Sequence, residues 1–219
     1  MKKIIIGTIL TSMTLSAQES KKNDLELAPY VGIAAANYYG EIPGTNKNLF
    51  SPTFGLNTYF YINNRWSFKM GIEQQIMGAE TYFFDDSTST NQSLKEKLRF
   101  ISIPFHANLH FGSNKNWMFN IGPTFSFLKT VSLNGVEVGV EGIRTDHIGV
   151  GFGIAYRFKI TENFSLAIGH QEYIGFTNNF YHKIFGTQPP FVGNIYGSFS
   201  LKFIYNIESK SNHTVINKD

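Results

Sequence analysis

Four groups of residues in this chain have types and spacings that bear on chemistry. His170 and Glu172 stand two apart in an extended-looking segment. A histidine base beside a carboxylate is part of what hydrolysis of a lipid ester requires, but such chemistry also needs an activated nucleophile. No serine accompanies His170 two residues on; Glu172 holds that place, so a polar pair, or a bulge that turns one of the two away, is the expectation. His106 and His110 are four apart. In an extended chain that is about 13 Å, too far to share one metal ion, so they are expected to hydrogen-bond in a polar interior. Gly149-x-Gly151-x-Gly153 has the outline of a phosphate loop, yet its period is that of a strand and no helix follows, so these glycines are expected to clear space. Lys69 and Glu73 share one face, and Arg157, Lys159 and Lys202 lie on the corresponding face of other segments. Charges left unpaired in a tight interior are costly, so an ion network between strands is expected. No catalytic, cofactor or metal site follows. The residues singled out form a structural network: Lys69, Glu73, His106, Asn108, His110, Arg157 and Lys202.

The elements that must position them are strands. Along Phe100–Phe111, Ile101, Ile103, Phe105, Ala107, Leu109 and Phe111 share one face, against Ser102, Pro104, His106, Asn108 and His110 on the other. That is period two over a stretch longer than a usual strand of five or six residues. The same alternation runs through Trp66–Met77, Trp117–Leu128, Ile148–Ile160 and Ile195–Ile207, and more weakly through Leu25–Asn37, Phe50–Ile62 and Phe164–Phe176. Tight links at 63–65, 112–116 and 161–163 alternate with longer polar connections at about 38–49, 84–97, 130–146 and 177–193. Eight strands follow, each long enough to cross a bilayer obliquely, which takes about 9–11 residues.

Composition says which face is which. Aromatic residues make up 16% of the chain and charged residues 16%, against a typical quarter for the charged set. The apolar face carries almost no charge, and the other face is mostly Gly, Ser, Asn, Thr and Ala with a few long charged side chains. In a soluble barrel the outer face would be richly charged. Here small polar residues suit a narrow interior, and a lysine or arginine facing lipid at mid-membrane would cost roughly 2–4 kcal/mol. Aromatic residues gather at the strand ends, Trp66, Trp117 and Tyr156 near the short turns and Tyr38, Tyr39, Tyr82 and Phe84 near the long connections, as two interfacial girdles would require. The fold expected is all-β: an eight-stranded antiparallel up-and-down transmembrane β-barrel, closed because hydrocarbon tolerates no unpaired backbone group.

Lys2 and Lys3, the apolar run from Ile4 to Leu15, and the small residues Ser16 and Ala17 are expected to form a signal peptide over 1–17. A lead at 18–24, the barrel at 25–207 and a polar tail at 208–219 complete the organisation. Without cysteine the chain has neither a disulfide framework nor a lipidated cysteine. Without Lys2 and Lys3, 17 of the 19 basic residues remain against 16 acidic ones, no footprint for nucleic acid.

The stretches Leu98-Arg99-Phe100-Ile101-Ser102-Ile103-Pro104-Phe105, Gly149-Val150-Gly151-Phe152-Gly153, Tyr173-Ile174-Gly175-Phe176-Thr177-Asn178-Asn179 and Ser200-Leu201-Lys202-Phe203 resemble those of PorT-like outer-membrane proteins, single-domain relatives of the OmpA/OmpX barrels. Short turns alternating with long connections put the turns and both termini in the periplasm and the four long loops outside, and the resemblance implies a Gram-negative outer-membrane location. It also implies, as an alternative role, an accessory part in protein export across that membrane. The role expected from the residues themselves is structural or interaction-based, with a filled lumen, and not enzymatic. A narrow channel and a lipid hydrolase are more distant readings. Partners would be outer-membrane lipid, the barrel-assembly machinery, and secretion components or extracellular ligands met through the long loops. Glu208–Asp219 departs from barrels that end on an aromatic residue; the expectation is an internal assembly signal at Phe203 or Tyr205 together with a disordered periplasmic extension. N-terminal sequencing of the protein from outer-membrane fractions should begin at Gln18; an intact Met1 on the embedded form would overturn the signal peptide.

Overall fold

The computed structural model describes residues 24–40, 45–85, 90–179 and 191–207. The expected signal peptide, most of the lead and the polar tail lie outside them. Nine strands follow in order: β1 (Leu25–Gly40), β2 (Thr45–Tyr61), β3 (Trp66–Asp85), β4 (Thr90–Phe111), β5 (Trp117–Leu133), β6 (Val136–Val138), β7 (Asp146–Lys159), β8 (Phe164–Gly175) and β9 (Val192–Ile207). All pairings are antiparallel. Except for β6, each strand pairs with the next in the ring, and β9 returns to β1 from Leu25↔Ile207 to Gly40↔Val192. The result is a closed ring of eight strands in up-and-down order. The short β6 hangs outside the ring on the end of β5, through Val131↔Val138 to Leu133↔Val136.

The exposure pattern is the reverse of a soluble protein's. Ile33 is 68% exposed and Ile72 and Phe199 61%, while Asn57, Asn108, Ser102 and Ser126 are fully buried. Period two places each set: along β5, Trp117, Phe119, Ile121, Phe125 and Phe127 look outward, and Met118, Asn120, Thr124 and Ser126 look in. Inside, the side chains form two apolar layers with polar groups around them. Near the short turns, Ala28, Tyr59, Tyr61, Met118, Ala155, Ala167 and Ile204 pack together. Toward the other end, Ala34, Tyr38, Met77, Leu98, Phe100, Val131, Tyr173 and Tyr196 form a larger apolar plug. The polar residues of the sequence network occupy the space between and below these plugs.

Each strand begins or ends within a residue of the expected position at the short-turn end. The opposite ends differ. The expected loops at 38–49 and 84–97 are largely strand: Asn37↔Ile195 to Gly40↔Val192 continue β1, Thr45↔Tyr82 starts β2, and the β3–β4 ladder runs to Asp85↔Thr90. The reason is that strands leaving hydrocarbon no longer need an apolar outer face. Ladder hydrogen bonds persist in water while the alternation that marks them in sequence fades. The connection at 130–146 likewise contains the β5–β6 hairpin, turned by Asn134 and Gly135 at φ 51° and 88°, the two positive φ values of a type I′ turn. Of the connection at 177–193, residues 180–190 lie outside those described.

The orientation of the faces can be tested directly. Spin labels at Ile33 and Ile72 should be relaxed by oxygen dissolved in lipid and not by a water-soluble reagent, and a label at Asn108 should meet neither. Ile72→Arg should lower stability in lipid by roughly 2–4 kcal/mol if the site is near the midplane. Labels at Ile33 and Ile72 that meet only the aqueous reagent would refute the lipid-facing assignment.

Candidate functional site

The seven network residues all look into the barrel, but they divide into separate groups. On β3, Lys69 Nζ lies 3.2 Å from Glu73 Oε1, and Gln75 Nε2 donates to Glu73 Oε2 at 3.1 Å. Ser102 Oγ on β4 donates to Gln75 Oε1 at 2.9 Å and meets Ser126 Oγ at 2.8 Å. His106 is hydrogen-bonded through Nδ1 to Asn120 Oδ1 at 2.8 Å and through Nε2 to Thr124 Oγ1 at 3.0 Å. His110 belongs to another group, with Ser67 Oγ and Asn108 Nδ2 both 2.9 Å from its Nε2 and the Tyr61 ring 4.8 Å away. The two histidines are thus engaged by different strands and are not brought together.

The expectation of one ion network holding Lys69, Glu73, Arg157, Lys159 and Lys202 is corrected by geometry. Arg157 on β7 reaches across the lumen to Glu26 on β1 with two parallel bonds, Nη1–Oε1 at 2.8 Å and Nη2–Oε2 at 2.7 Å. Tyr61 joins both partners, each at 3.1 Å. A guanidinium fork on a carboxylate is the strong form of a buried ion pair, since both oxygens and two donors are satisfied at once. Glu26 was not among the residues the sequence singled out. Its signal was available: Glu26, Ala28 and Tyr30 occupy the inward parity of β1. Lys202, though buried, joins neither pair.

The three glycines of β7 line the lumen where bulky groups approach. A Cβ at Gly151 would come within 2.7 Å of the His106 ring, and one at Gly153 within 2.7 Å of Gln171 Oε1. Their role is clearance. His170 and Glu172 look outward on β8 and pair with each other, Nε2–Oε1 2.5 Å, with the His170 ring 4.5 Å from that of Phe199. The β8 ladders to β7 and β9 are unbroken through both positions, so no bulge turns either inward.

A closed ring of eight strands with an apolar exterior and a polar, packed interior defines an integral outer-membrane β-barrel. The chain belongs to the outer membrane protein beta-barrel domain family, whose profile matches residues 16–181. The narrower PorT-like likeness rests on the short motifs of the sequence. Among curated proteins no match is found. Among solved structures, OprG from Pseudomonas aeruginosa is similar over 88% of this chain and 99% of that one, with 8% identity and a TM-score of 0.54. Neisserial surface protein A covers 84% and 97%, with 13% identity and a TM-score of 0.46. Ail, the attachment invasion locus protein of Yersinia pestis, covers 84% and 99%, with 11% identity and a TM-score of 0.44. At such identities the likeness is one of fold, and only that to OprG carries weight. Family and fold together place the chain in the outer membrane.

The Glu26–Arg157 pair should behave as a unit. Glu26→Gln or Arg157→Met alone should lower stability by about 3–5 kcal/mol, because each strands a buried charge, and the double variant should recover much of that loss. Urea unfolding of the refolded barrel in lipid vesicles measures this. Losses that simply add would mean the two residues act independently.

Proposed function

We propose that this protein is a sealed outer-membrane barrel that works through the hairpins at one end and not through its lumen. The observation that carries this reading is how little open space the described lumen retains. A vestibule of about 110 Å³ opens at the short-turn end, between Asn64, Lys115, Lys159 and Glu162, and its floor includes Glu26, Tyr61, His110 and Arg157. Beyond that floor the middle keeps a cavity of about 10 Å³, and the larger apolar plug follows. An eight-stranded barrel is just wide enough to be filled by its own side chains.

The working surface would then be the strands that rise past the lipid belt. β3 and β4 have 20 and 22 residues, about twice what a crossing requires. β6 adds a short exposed strand, with Val136 and Val138 uncovered. In this reading the hairpins face the cell exterior and meet ligands or partner proteins, the short turns and both termini are periplasmic, and the outer face meets lipid. The assembly machinery is the partner that inserts the barrel.

Two measurements test this. Refolded protein in a planar bilayer should give no conductance steps above the lipid baseline, and regular steps would favour the narrow-channel reading. A cysteine at Glu137 should react with an impermeant thiol reagent on intact cells, whereas one at Asn114 should not. The opposite pattern would reverse the topology.

A further inference from the structure

The middle of the lumen holds one charged group that the two ion pairs leave out. Lys202 on β9 is 5% exposed and, with Lys69 and Glu73, lines the cavity of about 10 Å³. Both oxygens of Glu73 are already engaged, one by Lys69 at 3.2 Å and the other by Gln75 at 3.1 Å. Among the described residues no hydrogen bond or ion pair reaches the Lys202 ammonium. The same cavity is lined by Asn57, fully buried, whose Nδ2 and Oδ1 both lack a hydrogen-bond partner, and by Gln171, whose Oε1 also lacks one. Tyr30, Tyr196, Ser198 and Ser200 complete the wall.

Two facts about this lining point to a ligand. It holds two ammonium groups for one carboxylate, and taking a charge out of water costs several kcal/mol unless something compensates it. It also concentrates buried polar atoms without partners, which in native proteins are few and call for an explanation. Apolar layers lie on either side, so few other protein groups are near enough to supply the missing interactions.

We propose that this cavity binds one small monovalent anion of about the size of chloride, held by the Lys202 ammonium and the Asn57 side-chain amide. The space is about that of one water molecule, so a halide enters only if the flexible Lys202 and Gln171 side chains give way by a few tenths of an ångström, and sulfate, phosphate and organic acids are excluded. An ammonium has three N–H donors, so Lys202 can serve the anion and the Gln171 carbonyl oxygen together. A water molecule fits the same space and satisfies the orphaned amide, but it leaves the excess positive charge in place.

Because its lining comes from five strands, the site exists only in the folded barrel. The experiment is therefore to refold the full chain into micelles in sodium chloride, in sodium bromide, and in sodium methanesulfonate at equal ionic strength. The thermal midpoint should rise with the logarithm of halide concentration, as ligand linkage requires, and should not respond to methanesulfonate, whose anion is too large. Lys202→Met should lose the halide response. If that variant fails to fold, Asn57→Leu, which keeps the charge and removes the amide, should weaken the response instead. Crystals grown in bromide should show an anomalous peak between Lys202 and Asn57. Equal midpoints in all three salts would show that the cavity holds water only, and an undiminished halide response in the variants would place the anion elsewhere; either result overturns the proposal.

Discussion

Every other feature of this molecule depends on one requirement: a backbone in hydrocarbon must find all its hydrogen-bond partners within the protein. A single open edge in the sheet would leave a row of unpaired donors and acceptors against lipid. Pairing each strand with its neighbour in the chain, and the last with the first, removes both edges. Once the ring is closed the choice of residues is constrained by position. Outward side chains must be apolar because nothing hydrates them. Inward side chains need only fit the bore and satisfy one another.

The interior meets the second condition in two ways. Where the bore is filled by Tyr, Met, Leu and Phe, packing suffices. Where it is filled by charges, geometry must be close to ideal, since low polarity makes an unpaired ion far more costly than a paired one. The Arg157–Glu26 fork, tied on both sides by Tyr61, meets that demand across the full width of the lumen. It joins strands that are not neighbours, so it braces the ring against flattening as well as plugging it. On the outside, His170 and Glu172 are a polar exception in an apolar surface. They pair with one another on the outer face, with Gly197 alongside leaving room for the carboxylate.

Much of this was legible in the sequence, for a physical reason. Lipid on one side and a packed polar bore on the other impose opposite demands on successive residues, so segments such as Ile101–Phe111 alternate without error. Ile204 shows the limit of the rule, an apolar residue that looks inward because the layer near the short turns is itself apolar. The strand extensions beyond the belt were not legible, because in water neither face of β3 past Gly78 or of β4 before Leu98 is under that demand. Nor was the partner of Arg157. Which residue 131 positions away stands across the bore depends on the tilt and stagger of the ring, and no local pattern encodes those.

The seam between β1 and β9 has a kinetic meaning too. Its residues are separated by most of the chain, so closing it means forming the contacts of greatest sequence separation in the fold. Until β9 is available, the growing sheet has two bare edges and an apolar face with no lipid to cover it. Such a chain has high contact order and folds slowly in the absence of help, and its exposed strands are ready to pair with other chains. The first strand synthesised must wait for the last. The interval between them is when the protein is most exposed to aggregation and proteolysis.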